Sequence, residues 1–171
     1  MTARREELRG PGRTRGRLGW LAALVVVLTG CGMFSAFHQN VDDLGTQITE
    51  DWREHPVVVD ASYLYVHGID SGDQLHLRVT LDATQVTDEV TAEIEEIATE
   101  DYWRSDVAYV NGGIKIRVFS SDQPFVVGPG DQVENPQDSV EEIAITFDPA
   151  DEARIAELEA AYGPRPTPTA S

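Results

Sequence analysis

The chain has 171 residues, 13 of them basic and 30 acidic, for a formal charge of −17. From residue 31 onward the imbalance is steeper, with seven basic and 28 acidic residues. So acidic a surface excludes binding to bare nucleic acid, which needs Lys and Arg to meet phosphates, and it opposes adsorption to anionic headgroups. The length suits one domain with its own core, not two.

The first thirty residues divide into a basic and an apolar part. Arg4, Arg5, Arg9, Arg13, Arg15 and Arg17 precede the uncharged run Leu18–Thr29. A helix rises ~1.5 Å per residue, so this run stops well short of the ~30 Å hydrocarbon layer. It reads as a signal-peptide core, oriented by the basic stretch before it. Leu28-Thr29-Gly30-Cys31 follows directly. Basic region, apolar core and this tetrapeptide, in that order, resemble the leader and lipobox of bacterial lipoproteins. The resemblance is confined to the leader. It implies transfer of diacylglycerol to the Cys31 thiol, cleavage before Cys31, and attachment of the mature protein to the lipid bilayer through acylated Cys31. The address is then the extracytoplasmic face of the cell membrane. Cys31 is the sole cysteine, so no internal disulfide is available. The chain thus divides into a signal peptide (1–30), a tether (31–40), one domain (41–162) and a Pro/Thr-rich tail (163–171) expected to be disordered.

Within the domain, Val41, Leu44, Ile48 and Trp52 fall at helical spacing after a candidate N-cap, Asn40, and His55-Pro56 ends the segment. Two runs with strand character, 57–67 and 74–82, flank the turn cluster Gly68–Asp73 and predict a hairpin. A turn centred between Ser71 and Gly72 would pair Val66 with Leu77, Leu64 with Val79, His67 with His76 and Tyr65 with Arg78. A second helix is expected from a cap near Asp82 or Thr84, with Val86, Val90, Ile94 and Ile97 as its buried stripe. Residues 107–110 and 114–119 around Asn111-Gly112-Gly113 predict another hairpin. Residues 120–139 read as a long loop, Ile143, Ile145 and Phe147 as a last strand, and Asp148-Pro149 as the opening of a third helix with Ile155, Leu158 and Tyr162 inward. The order α-β-β-α-β-β-α predicts an α+β two-layer sandwich: an antiparallel sheet of four to five strands with helices on one face, in a permuted ferredoxin-like arrangement.

Alternation then assigns Tyr63, Tyr65, His67, His76, Arg78, Lys115 and Arg117 to the sheet's other face, a candidate docking surface. Three of the seven basic residues of the mature chain gather there. His67 and His76 are weak metal candidates; with Asp70 or Asp73 they make at most part of a zinc site, so no metal or cofactor is assigned. Asp131, Glu134 and Asp138 lack the spacing of a calcium loop. No nucleophile elbow, metalloprotease helix or phosphate-cradling glycine loop is present, and the one thiol is committed to lipid. The sequence therefore predicts a non-enzymatic module that binds an envelope protein partner. The alternative is a carrier of a small ligand or metal, using the His67/His76 edge or the 120–139 loop.

Overall fold

The computed structural model describes residues 39–68, 72–107, 110 and 113–167. The leader, the lipobox and Cys31 lie outside them, as do Asp70 and Asn111-Gly112.

The apolar repeat at the start of the domain forms helix α1 (39–54), and its four stripe residues, Val41, Leu44, Ile48 and Trp52, are all buried. A turn at His55 ends it, with the Val58 N–H bonded to the His55 carbonyl. Strand β1 (Val58–Gly68) then runs antiparallel to β2 (Gly72–Leu81). Helix α2 (Asp88–Arg104) starts later than expected, capped by Thr87, whose hydroxyl accepts from the Val90 N–H. Asp82 is held in a turn of its own, its carboxylate accepting from the backbone and hydroxyl of Thr84, so it is not free to cap a helix. Asp88 and Glu89 in the first turn of α2 complement the positive end of its dipole.

Strand β3 (Ile114–Ser120) pairs with β2 in parallel, and β4 (Glu141–Ile145) pairs with β3 antiparallel. The four-stranded sheet has the order β1-β2-β3-β4. The architecture is α+β in the expected element order, but the sheet is mixed rather than antiparallel. Among the described residues the first strand of the hairpin expected across 107–119 is not present. Val107 and Val110 are buried outside any strand, and the Val110 N–H is taken by the Tyr102 hydroxyl at 2.8 Å. Among the described residues β3 is the next strand after α2, and a helical crossover delivers a parallel strand. The two strands of this βαβ unit are immediate neighbours. No strand splits them, so the ferredoxin-like arrangement is not the one adopted.

Helix α3 (Glu152–Tyr162) is capped by Asp151, whose side chain accepts from the Arg154 N–H, with Asp148-Pro149 in the turn before it. Leu158 is buried on its inner side. The expected disordered tail does not begin at 163. The Gly163 carbonyl accepts from Trp103 Nε1 at 2.8 Å, and the Arg165 guanidinium lies over the rings of Tyr102, Trp103 and Phe147 at 5.4–5.7 Å.

The core lies between the helices and one face of the sheet. Leu75, Leu77 and Val79 on β2 and Ile114, Ile116 and Val118 on β3 are all fully buried there, against the α1 stripe and Ile94 and Ala98 of α2. Each such side chain contributes ~1.5–3 kcal/mol by leaving water. Trp52 Nε1 donates to the Ile94 carbonyl at 2.9 Å, fastening α1 to α2 at the centre of this layer. Among the described residues no helix is long and apolar enough to cross a membrane.

Candidate functional site

The face of the sheet away from the helices is set by register. Gly68 pairs with Gly72, Val66 with Gln74, Leu64 with His76 and Ser62 with Arg78. The hairpin register differs by three residues from the one expected, and an odd shift carries every β1 side chain to the opposite face. Tyr63 and Tyr65 consequently belong to the helix side, not to the docking face. The Tyr63 ring packs against α1, where Gly45 makes room: a Cβ there would stand 2.5 Å from the ring. Its hydroxyl meets Thr46 Oγ1 at 3.1 Å, and the Tyr65 hydroxyl donates to Asp73 at 3.0 Å. His67 pairs with Asp73 and His76 with Leu64, so the two histidines are not cross-strand neighbours. The His67 side chain lies outside the described residues.

His76, Arg78, Lys115 and Arg117 do share the open face. The parallel register places His76 beside Lys115 and Arg78 beside Arg117. The aromatics expected with them are replaced by Leu64 and Val66 of β1. The face is not flat, because the 121–140 segment folds back over it. Asn135 organises this segment: its Oδ1 accepts from the Val126 N–H (2.7 Å), and its Nδ2 donates to the Pro124 carbonyl and to Asp138 (both 3.1 Å). Val127 bridges Val133, and the small hairpin between them carries Gly130 and Asp131, both with positive φ. Phe125 meets the buried ring of Phe119 edge-on at 5.7 Å and covers Arg78, whose guanidinium carbon lies 6.0 Å from the Phe125 centroid.

Between sheet and hairpin is a cleft of about 230 Å³. Its floor is Arg78 with Lys115 and Arg117, one wall is Leu64 and Val66, and its roof is Asp131, Gln132 and Val133. Arg78 is only 3% exposed, yet its Nη1 has no hydrogen-bond partner among the described residues. The hydroxyl of Ser62, directly across the strand pair, is likewise unpartnered. Arg117 donates to Glu142 at 3.0 Å, and no ion pair engages Lys115 among the described residues. Burial works against the Arg78 charge and the Asp131 carboxylate works for it. Burial, reinforced by Lys115, Arg117 and Arg78, holds the His76 imidazole below its ordinary pKa, so it is neutral at physiological pH. Its Nε2 meets Gln74 Oε1 at 3.1 Å.

No known protein family, curated protein or solved structure matches this chain.

A second cavity, of about 340 Å³, lies beside α1 and α2 and is lined by Gln47, Asp51, Glu100, Asp101 and Arg104. Asp101 is buried there. Its Oδ1 accepts from Gln47 Nε2 at 3.0 Å, and its pKa is pushed up to about 6, first by burial and then by the Asp51 carboxylate. Sequence reasoning passed over Asp101. The signal was its place seven residues after Ile94 and three after Ala98, on the buried stripe of α2. Among the described residues no three His, Cys, Asp or Glu side chains converge as metal ligands, and Asp138, one of the three calcium candidates, is held by Asn135.

Proposed function

We propose that this chain is an exported, lipid-anchored, non-enzymatic binding protein that holds an anionic ligand in the cleft between the open sheet face and the 121–140 segment. The single observation behind this reading is the Arg78 guanidinium: a cation only 3% exposed that lines a cleft together with Lys115 and Arg117. A buried cation is costly unless negative charge compensates it, and an anion in the cleft supplies that compensation. The concave shape favours a ligand carrier over a flat protein-docking face, since cleft and roof enclose a small group rather than present a broad surface. The lipobox-like leader supports the address: acylation of Cys31 holds the domain at the outer side of the cell membrane, where two acyl chains retain what one binds reversibly.

Thermal unfolding of the full-length protein with small anions tests the cleft. A ligand that binds only the folded state at 100 times its Kd adds ~2.7 kcal/mol of stability. At least one of acetate, butyrate, phosphate and sulfate is expected to raise the Tm of the wild type and not of Arg78→Met. Equal shifts in both proteins overturn the reading. The anchor is tested separately by intact mass of the native product, where a bare Cys31 thiol or a chain still starting at Met1 overturns it.

A further inference from the structure

Charge, lining and volume together narrow what the cleft can hold. Three cations face it: Arg78, Lys115 and Arg117. Two carboxylates stand among them, Glu142 paired with Arg117 and Asp131 on the hairpin. The local balance is one positive charge, in a protein that is otherwise strongly acidic. One incoming negative charge neutralises it. A second charge on the same ligand would face Asp131 and Glu142 in a partly desolvated space, where like charges repel more strongly than in water. Beside the cations on the same sheet face stand Leu64 and Val66 of β1, and with Val133 of the roof they give the cleft an apolar side. At about 230 Å³ the cleft is below the ~300 Å³ at which sites for drug-sized ligands begin.

Resting on the reading of the cleft as an anion site, we infer that its ligand is a small amphiphilic monoanion: a carboxylate seated on Arg78, with a short apolar chain along Leu64, Val66 and Val133. The planar fork of a guanidinium matches the geometry of a carboxylate. Arg78 is fixed for this role by Phe125 above it and by its own burial. Lys115 stands free of ion pairs among the described residues and adds a second positive charge. Asp131 discriminates against dianions, and the apolar wall discriminates against small inorganic ions.

Calorimetry on the full-length protein in nanodiscs tests this with four probes: hexanoate, 1-hexanol, adipate and inorganic phosphate. Hexanoate is expected to bind at least tenfold more tightly than the neutral alcohol or the six-carbon dianion. Arg78→Met should lose at least tenfold for hexanoate and leave 1-hexanol unchanged; partition into lipid would be equal in both proteins. Val133→Asp, on the roof and away from the core, should weaken hexanoate at least fivefold with the fold intact, so the result does not depend on Arg78→Met alone. If adipate or phosphate binds as tightly as hexanoate, and through Arg78, the ligand class is wrong and the anion cleft stands. If no probe shows Arg78-dependent binding, or 1-hexanol equals hexanoate, both fall.

Discussion

Asp101 should make the stability of this domain fall as pH rises, by an amount that a single isosteric substitution removes. The residue is 7% exposed, and its carboxyl faces Asp51 across the α1–α2 junction. Burial and that neighbour raise its pKa from 3.8 to about 6 in the folded state. A raised carboxyl pKa means that the folded chain holds the proton more tightly than the unfolded chain. Below about pH 4 both states are protonated and the group costs nothing. Between about 4 and 6 the unfolded chain releases its proton first, and the penalty grows. Above about 6 it is fully present. Two pKa units correspond to ~3 kcal/mol.

Asp101→Asn keeps the acceptor for Gln47 and removes the charge. The variant should match the wild type at pH 3.5 and exceed it by up to ~3 kcal/mol at pH 8, a Tm difference on the order of 10 °C. Other carboxylates repel one another in both proteins, so the difference between the two melting profiles, and not either profile alone, reports Asp101. Urea or thermal melts from pH 3.5 to 8 give this difference directly. A variant that is less stable at pH 8, or a difference that does not change with pH, refutes the reasoning.

Three further outcomes follow from the packing. Gly45→Ala drives a methyl into the Tyr63 ring and should destabilise the domain by ~1–3 kcal/mol in chemical denaturation, with Tyr63→Leu restoring part of the loss. Asn135→Ala removes the three hydrogen bonds that organise the 121–140 segment; stability should drop by ~1–3 kcal/mol, and amide exchange should quicken at Val126 and Glu134 before it does in the sheet. Arg165→Ala strips the guanidinium from Tyr102, Trp103 and Phe147 and from the Val107 carbonyl; a loss of ~1–3 kcal/mol in denaturant melts is expected, where a disordered tail would show none.

Where an element's own chemistry determined its structure, the sequence was legible. The α1 stripe is buried at all four expected positions because an amphipathic repeat has one way to bury itself. The helix-facing positions of β2, β3 and β4 also follow from their alternation. What local pattern could not supply was pairing. The sequence Gly68–Asp73 offers several glycine-flanked turn centres, and only tertiary packing, the Tyr63 ring against Gly45, selects the register that turns the tyrosines inward. Likewise Val107 and Val110 carry strand propensity but are buried in the core, with the Val110 N–H on the Tyr102 hydroxyl, and β3 pairs in parallel with β2. Tyr102 and Trp103 themselves were missed as core residues, because their partners, Phe147 and Arg165, lie more than forty residues away.

The same distinction bears on the candidate site. Alternation along β2 assigns Arg78 and Thr80 to a wet face, yet both are buried, under a segment whose sequence reads only as a loop. A solvent-facing sheet would let the arginine hydrate, and an apolar roof with no ligand to satisfy would favour Met or Leu at that position over a guanidinium. Instead the roof has its own hydrogen-bonded frame in Asn135, a positive-φ pair in Gly130-Asp131 that hangs a carboxylate over the cleft, and an aromatic ring placed above the charge. Conflicts between local rule and tertiary structure concentrate where structure serves something other than stability. Here two of them, a covered sheet face and a buried cation, coincide within one cleft, and a single anionic occupant would offset the charge of the second while explaining the first.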